Sequence, residues 1–455
     1  MRRFMISGMH SGSGKTVLTC GLLQAFRSRG LSVAGFKCGP DYIDPMFHRQ
    51  VLGIPSRNLD LYLQGEEGIR RSLEKARGDL VILEGAMGYY DGVNGTEEAS
   101  AWETADTLDI PVVLAVRAKG VSLTLAAQIK GMLTFRSPCH IVGVILTDCG
   151  PMMYSHLRPI LEKHAGIPAF GFLPPMKEAI LESRHLGLVT AGEIADLKER
   201  FVRIGAQTER TVDLDALLSC VRDVDEGAVR REREENRCTI AVAKDEAFCF
   251  YYEDSLDALR RAGAKLRYFS PIHDRLPPEA HGLYLGGGYP ELYVNQLSWN
   301  TEMRAWIRSS VREGMPTVAE CGGFLYLLQS LESDQGEFRP MAGALEGKGY
   351  RTNALQRFGY LDLTADEESL LFRPGEEIPA HEFHYWEATE CGSGLKAKKR
   401  NGRQWRCAVT SPSIYAGFPH LHFDGKLPLA KRFVDAAIRY RASHRQQNTG
   451  RETNE

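Results

Sequence analysis

The stretch Ser7-Gly8-Met9-His10-Ser11-Gly12-Ser13-Gly14-Lys15-Thr16 decides the reading of the N-terminal half of the chain. The apolar run Phe4-Met5-Ile6 precedes it, and Leu18, Leu22, Leu23 and Phe26 follow at helical spacing until Gly30. Strand, glycine-rich loop and helix are therefore expected in that order. Glycines let such a loop curl so that its N–H groups face phosphate oxygens, and the helix adds the positive end of its dipole. Gly12, Ser13 and Gly14 would line the phosphates, Lys15 would reach the outer ones, and Thr16 would ligate Mg²⁺. The strict spacing G-x-x-x-x-G-K-[ST] is not met, because Met9 holds its first position; Gly8 makes the loop one residue longer. A plain glycine turn is the bland alternative, and Gly-Lys-Thr in this context argues against it.

Outward from the loop, 33–36, 80–83, 112–116 and 141–146 read as buried strands between helical patterns. This alternation predicts a mostly parallel sheet flanked by helices on both faces. Carboxyl ends of such strands line a ligand crevice. Glu84 follows one strand and opens Glu84-Gly85-Ala86-Met87-Gly88-Tyr89-Tyr90-Asp91-Gly92. Lys37-Cys38-Gly39-Pro40-Asp41-Tyr42-Ile43-Asp44 follows another. Singly, each carboxylate is an ordinary cap or surface charge. Beside a phosphate loop, together, they favour nucleotide chemistry, with Glu84 where a magnesium ligand is needed.

At 455 residues, and at roughly 100–200 residues per domain, two or three domains are expected. Hydrophobic residues make up 43% and charged ones 25%, enough for a large core. A net charge of −2 lacks the basic footprint of a nucleic-acid binder. Ten scattered cysteines without a C-x-x-C pair argue against zinc or a disulfide framework and for a reducing, cytoplasmic setting. No signal peptide is expected at the N-terminus, and no apolar run reaches the ~18 residues of a membrane span.

The run Arg230-Arg231-Glu232-Arg233-Glu234-Glu235-Asn236-Arg237 is almost all charge and reads as part of a solvated linker, placed over 193–237. Beyond it 239–243, 266–269, 282–285 and 317–319 restart the strand pattern, predicting a second α/β domain over 238–443. Residues 444–455 are polar and are expected as a frayed tail.

The second domain carries its own chemistry. Thr317-Val318-Ala319-Glu320-Cys321-Gly322-Gly323-Phe324-Leu325-Tyr326 reads as strand, sharp turn and helix, with Cys321 at the turn. A helix N-terminus there is expected to lower the thiol pKa. Leu285-Gly286-Gly287-Gly288-Tyr289-Pro290-Glu291 can supply backbone N–H groups to an oxyanion. Phe418-Pro419-His420-Leu421-His422-Phe423 offers a base for Cys321. The bland alternatives are an inert buried thiol and two satisfied histidines.

At these residues the chain resembles the cobyrinic acid a,c-diamide synthase family over nearly its whole length. Ser11-Gly12-Ser13-Gly14-Lys15-Thr16, Gly39-Pro40-Asp41-Tyr42-Ile43-Asp44, Glu84-Gly85-Ala86-Met87-Gly88, Asp91-Gly92, Arg184-His185-Leu186-Gly187-Leu188, Glu320-Cys321-Gly322-Gly323, Glu382-Phe383-His384-Tyr385 and His420-Leu421-His422-Phe423 carry the likeness. The domain over 1–192 is similar to dethiobiotin synthetase, whose phosphate loop also has the extra residue. The domain over 238–443 is similar to class I, triad-type glutaminases.

The resemblance implies a cytoplasmic ligase of cobalamin biosynthesis. Glutamine is hydrolysed at Cys321 through a thioester, ATP phosphorylates a carboxylate of the substrate, and ammonia attacks the acyl phosphate. It implies Lys37 and Tyr42 with Gly12–Thr16 at ATP, and Thr16, Glu84 and Asp44 at Mg²⁺. Asp41, Tyr42 and Asp91 are implied beside the reacting carboxylate, and Gly287, Gly288 and Gly322 around the glutamine amide. His420 is the preferred base. His422 stands where many triad glutaminases have Glu, so a Cys–His dyad is expected. Thr147 replaces a frequent Asn, Ser183 a frequent acid, and Gly171-Phe172-Leu173-Pro174-Pro175 a run that often ends in Arg. The partners implied are a tetrapyrrole, glutamine and ATP, without nucleic acid or membrane; a homodimer is compatible. Two alternatives stand beside this: the same amidation on another tetrapyrrole such as nickel-sirohydrochlorin, and a non-catalytic, ATP-gated binding module. Intact Lys15 and Cys321 argue against the latter.

Overall fold

The structure, a computed structural model, describes residues 1–176, 191–221 and 236–452, and the side chains of 191–195 and 445–452 are left aside. The Arg184–Leu188 motif, Ser183 and most of the charged run therefore lie outside the described residues. The chain divides into two compact units, Met1–Arg230 and Arg231–Glu455.

In the first unit, β1 (Arg2–Gly8), β2 (Val33–Cys38), β3 (Ser56–Leu59), β4 (Leu80–Glu84), β5 (Val112–Arg117), β6 (Ile141–Thr147) and β7 (Ala169–Phe172) form one sheet. Its order is β3-β2-β4-β1-β5-β6-β7, and every pair is parallel. Both faces are covered, which is why the strands read as solid apolar runs. Met5, Leu83, Leu114 and Leu146 pack into one core, and Phe4, Ile6, Ile82, Val113 and Ile145 into the other. The phosphate loop leaves β1, a central strand. Register pairs Ile6 and Lys37 each with Glu84, so the ends of β1, β2 and β4 meet at one rim.

The stretch expected as a linker begins inside this unit. Helix Ala191–Thr211 packs Leu197, Phe201 and Ile204 into the second core against Leu18, Leu22 and Phe26 of helix Lys15–Ser28. Glycines permit the approach: a Cβ on Gly21 would lie 2.5 Å from Thr208 Oγ1, and one on Gly205 2.6 Å from Gln24 Cγ. Val212 bridges Gly171, and helix Leu214–Ser219 adds Leu214 and Leu217 to the same core. The charged run concealed an amphipathic helix upstream of it, so the 193–237 boundary is corrected: the part through Val221 is structural.

In the second unit, β8 (Cys238–Ala243), β9 (Ala264–Phe269), β10 (Gly282–Leu285) and β11 (Thr317–Glu320) pair in parallel in the order β11-β10-β8-β9. Strand Ile414–Gly417 adds in parallel beside β11, and Val409–Ser411 closes that edge antiparallel. A second sheet, not anticipated from the sequence, is built on a long antiparallel hairpin of Lys348–Ala365 and Glu377–Ala388, with His420–Leu421 on its edge. Helix Leu429–Glu452 runs through most of the expected tail, where Arg and Gln favour helix despite their polarity. No helix among the described residues is long and apolar enough to cross a membrane.

Phe201 is fully buried, edge-on to Phe47 at 5.0 Å. Phe201→Ala should therefore destabilise the first unit by about 3–5 kcal/mol, the usual range for a buried aromatic. Chemical denaturation measures this; a loss under about 0.5 kcal/mol, as at an exposed site, would return the segment to the status of a linker.

Candidate active sites: a phosphate loop and a thiol turn

The loop after β1 is held by its own side chains and by β6. Ser13 Oγ donates to His10 O at 2.6 Å, and Thr147 Oγ1 donates to Ser13 O at 2.7 Å. Thr147, which the sequence offered only as a departure from a family pattern, thus braces the loop. Gly14 has φ 85° and faces Thr147, which a Cβ would approach to 3.2 Å. Lys15 Nζ donates to His10 O at 3.1 Å and to Met87 O at 2.5 Å, tying the loop to the segment after β4. Asp91 turns that segment by accepting from Gly88 N at 2.9 Å.

At the rim, Glu84 is fully buried. Its Oε1 accepts from Thr16 Oγ1 at 2.6 Å and from Lys37 Nζ at 2.8 Å. Lys37 Nζ also lies 2.6 Å from Asp44 Oδ2 and 4.0 Å from Asp41 Oδ2. Burial alone would lower the Lys37 pKa; Glu84, Asp44 and Asp41 outweigh it and hold the ammonium well above its ordinary value. Burial and the neighbouring Asp44 push Asp41 up to about 6, although Oδ1 caps Ile43 N and Asp44 N. Tyr42 precedes helix Ile43–Phe47 on the same loop. All the phosphate-side residues chosen from the sequence, Gly12 to Thr16, Lys37, Asp41, Tyr42, Asp44, Glu84 and Asp91, thus lie on three neighbouring segments of one sheet end.

Glu84 Oε2 is buried with no hydrogen-bond partner among the described residues. Beside the Thr16 hydroxyl, that oxygen suits a hard cation. No three His, Cys, Asp or Glu side chains among the described residues converge into an all-protein metal cage. One carboxylate and one hydroxyl are the kind of set Mg²⁺ uses when phosphates and water complete its shell.

The thiol turn follows β11. Cys321 has φ 48° and ψ −102°, a conformation non-glycine residues rarely adopt. Its N–H donates to Gly417 O at 2.8 Å, and helix Gly322–Leu327 starts after it. The glycine-rich loop after β10 closes over the turn: a Cβ on Gly322 would lie 3.1 Å from Gly288 N. Gly286 N is used by Tyr251 Oη at 2.8 Å, which leaves Gly287, Gly288 and Gly322 as the candidate oxyanion residues. A Cβ on Gly287 would lie 2.5 Å from His420 Cε1 and 3.3 Å from His420 Nε2. The His420 ring therefore packs against the loop that faces the thiol turn. His422 is buried against Tyr252, ring centroids 4.8 Å apart. The Glu382–Tyr385 motif alternates along its strand: Glu382 and His384 are buried, Phe383 and Tyr385 exposed, and His384 stacks on Phe418 at 3.9 Å.

The expected lowering of the thiol pKa is not found. Burial pushes the Cys321 thiol well above its ordinary value, Glu291 adds to this, and the Gly322 N–H opposes it only in part. Burial likewise lowers His420 to about 3. The resting pair is thus a neutral thiol and a neutral imidazole. Two residues without an assigned role in the sequence reading lie here. Glu291 is buried, and Glu320, directly before the nucleophile, is buried with Oε2 3.9 Å from His420 Nδ1. Adjacency in the Glu320-Cys321 motif was the only sequence signal for Glu320.

Residues 4–188 match the family model of the CobQ/CobB/MinD/ParA nucleotide binding domain, and 239–428 that of the CobB/CobQ-like glutamine amidotransferase domain. Nucleotide site and thiol turn accordingly belong to a glutamine-dependent, ATP-using ligase that forms amides. The chain is 40% identical over 442 residues to cobyrinate a,c-diamide synthase of Clostridium acetobutylicum, spanning 95% of this chain and 100% of that one. It is 37% identical over 450 residues to the synthase of that name from Salmonella typhimurium, spanning 96% and 98%. The chain belongs to the cobyrinate a,c-diamide synthase family.

Burial pushes the Glu291 carboxyl up to about 8. A carboxyl held above its unfolded value stabilises the fold fully at acidic pH and ceases to do so as pH rises through its folded value. Glu291→Gln is expected to lose less Tm than wild type between about pH 5 and pH 9, read by thermal melts. Equal losses in the two proteins would mean that Glu291 is already ionised in the fold.

Proposed function

We propose that this protein amidates the a and c acetate side chains of cobyrinate, with glutamine as nitrogen donor and ATP as activator. One observation carries the choice of substrate: end-to-end similarity to proteins that bear that activity as their name. The carboxylate attacks the γ-phosphorus of ATP and displaces ADP. Ammonia then attacks the acyl carbon, and inorganic phosphate leaves. Gly12, Ser13, Gly14, Lys15 and Lys37 neutralise the phosphates, and Tyr42, Asp41 and Asp91 border the carboxylate. Thr16 and Glu84, with Asp44 beside them, would hold Mg²⁺, which supplies charge neutralisation at the phosphates. The orphaned Glu84 Oε2 supports that assignment.

In the glutaminase unit, His420 Nε2 takes the Cys321 proton as sulfur attacks the glutamine amide carbon. N–H groups of Gly287, Gly288 and Gly322 face the oxyanion, and the same proton leaves with ammonia. Water then opens the thioester and releases glutamate. Because the resting thiol is neutral, thiolate forms only as the substrate is attacked. His422, against Tyr252, serves packing rather than proton transfer. A cytoplasmic setting is supported by ten cysteines that form no disulfide.

The test is mass spectrometry of candidate tetrapyrroles incubated with enzyme, ATP, Mg²⁺ and glutamine. Cobyrinate is expected to lose about one mass unit twice, –OH becoming –NH₂. Amidation of nickel-sirohydrochlorin with cobyrinate untouched would overturn the substrate assignment.

The two half-reactions separate by donor. Cys321→Ser is expected to lose glutamine-driven amidation by about 10³-fold or more and to keep the reaction with ammonia at alkaline pH. Lys15→Ala is expected to lose both, since it blocks acyl phosphate formation. Equal loss from both donors in folded Cys321→Ser would place the thiol in the amidation step instead.

A further inference from the structure

Glu320 ends β11, and its side chain is buried at 1% exposure. Two donors fix it from two elements: Tyr284 Oη on β10 donates to Oε2 at 2.9 Å, and Leu421 N donates to Oε1 at 2.9 Å. The second bond grips the residue next to His420. Oε2 lies 3.9 Å from His420 Nδ1, while the Cε1–Nε2 edge of the same ring lies over Gly287, the loop that faces the thiol turn. The imidazole thus has one nitrogen toward a carboxylate and the other toward the nucleophile's side.

That division of the ring matters because a neutral imidazole carries one proton. With it on Nδ1, Nε2 has a lone pair and can accept the thiol proton. With it on Nε2, the base is switched off. A carboxylate at Nδ1 selects the first form and stabilises the imidazolium that follows. His381, its cross-strand partner, and His384 both lower the His420 pKa. Neither can supply a negative charge.

We propose that Glu320 is the positioning residue of the glutaminase: it holds His420 with Nδ1 protonated and Nε2 toward Cys321, so the residue preceding the nucleophile completes a triad from the opposite side to the usual downstream acid. This rests on Cys321 and His420 being the glutaminase pair. The step balances within the site. The Cys321 proton moves to Nε2, the Nδ1 proton stays on nitrogen, facing Glu320 Oε2 at 3.9 Å, and the Nε2 proton leaves with ammonia. Burial holds the Glu320 carboxyl up at about 8, so the negative charge that selects this tautomer is complete only above that pH.

The experiment uses the full-length enzyme. Glu320→Gln keeps the shape and the acceptor for Leu421 N but removes the charge. It is expected to lower kcat for glutamine hydrolysis about 10–100-fold, the usual cost of losing a second-layer orienting group, with KM within about twofold. Alkylation of Cys321 by iodoacetamide should slow in parallel, and amidation driven by ammonia should stay at wild-type rate. Tyr284→Phe removes a neutral hydrogen bond and should cost under about tenfold in kcat. Wild-type kcat in Glu320→Gln, or a loss shared equally by the ammonia-driven reaction, overturns the proposal. A measurement that needs no Glu320 variant stands beside it. Histidine ¹⁵N shifts of the wild type, assigned against His420→Gln, should report Nδ1–H and a lone pair on Nε2 at about pH 9, where a carboxyl near 8 is ionised. The opposite tautomer overturns the proposal. Undiminished hydrolysis by Cys321→Ser would instead remove the reading on which it rests.

Discussion

The ammonium of Lys37 is the constraint around which the phosphate-loop unit is organised. Glu84 sits with no exposed surface at the end of a central strand, where an isolated carboxylate would cost several kcal/mol. Lys37, its register partner on the adjacent strand, reaches it at 2.8 Å and gathers Asp44 as well. The network fixes Glu84 Oε1, which in turn orients the Thr16 hydroxyl at the start of the loop helix. The other oxygen of the same carboxylate is buried without a hydrogen-bond partner among the described residues. A single buried ion pair therefore joins the ends of β2 and β4 and, through Thr16, the start of the loop helix.

The glutaminase unit solves an analogous problem with a different balance. Glu320 is as deeply buried as Glu84, also at a strand end, yet it accepts from a phenol and a backbone amide rather than from an ammonium. It keeps a high affinity for its proton, whereas Lys37 holds Glu84 beside a permanent charge. Two buried glutamates at the carboxyl ends of parallel strands thus sit in different settings. One is balanced by an ammonium, the other by neutral donors.

Much of this was legible in the sequence, for identifiable reasons. Parallel strands buried on both faces write themselves as solid apolar runs, so β1, β2, β4, β5, β6 and β8 to β11 were located within a few residues. Chemistry at strand ends follows from that topology, which is why Lys15, Glu84 and Cys321 could be chosen before any contact was known. What failed was what depends on partners distant along the chain. Helix Ala191–Thr211 carries its apolar face on only a few residues, and a neighbouring charged run drew it into a linker. The long hairpin over 348–388 mixes glycine, charge and aromatics without clean alternation, because one stretch of it is exposed on both sides. The thiol pKa was misjudged because a short helix is a weaker influence than full burial beside Glu291. Glu320 carried no role because its meaning lies in His420, about a hundred residues away.

The backbone at Cys321 has one further implication. A side chain at φ 48° and ψ −102° stores roughly 1–3 kcal/mol of local strain, which glycine would not incur. The hydrogen bond to Gly417 and the packing of the turn hold the cysteine there against its own preference. Glycine would relieve that strain, but it would also remove a side chain buried in the core of the unit. A sulfur retained in so costly a pose behaves like a loaded spring kept under tension. The strain is local to the turn that presents the sulfur, and the packing of its neighbours bears it.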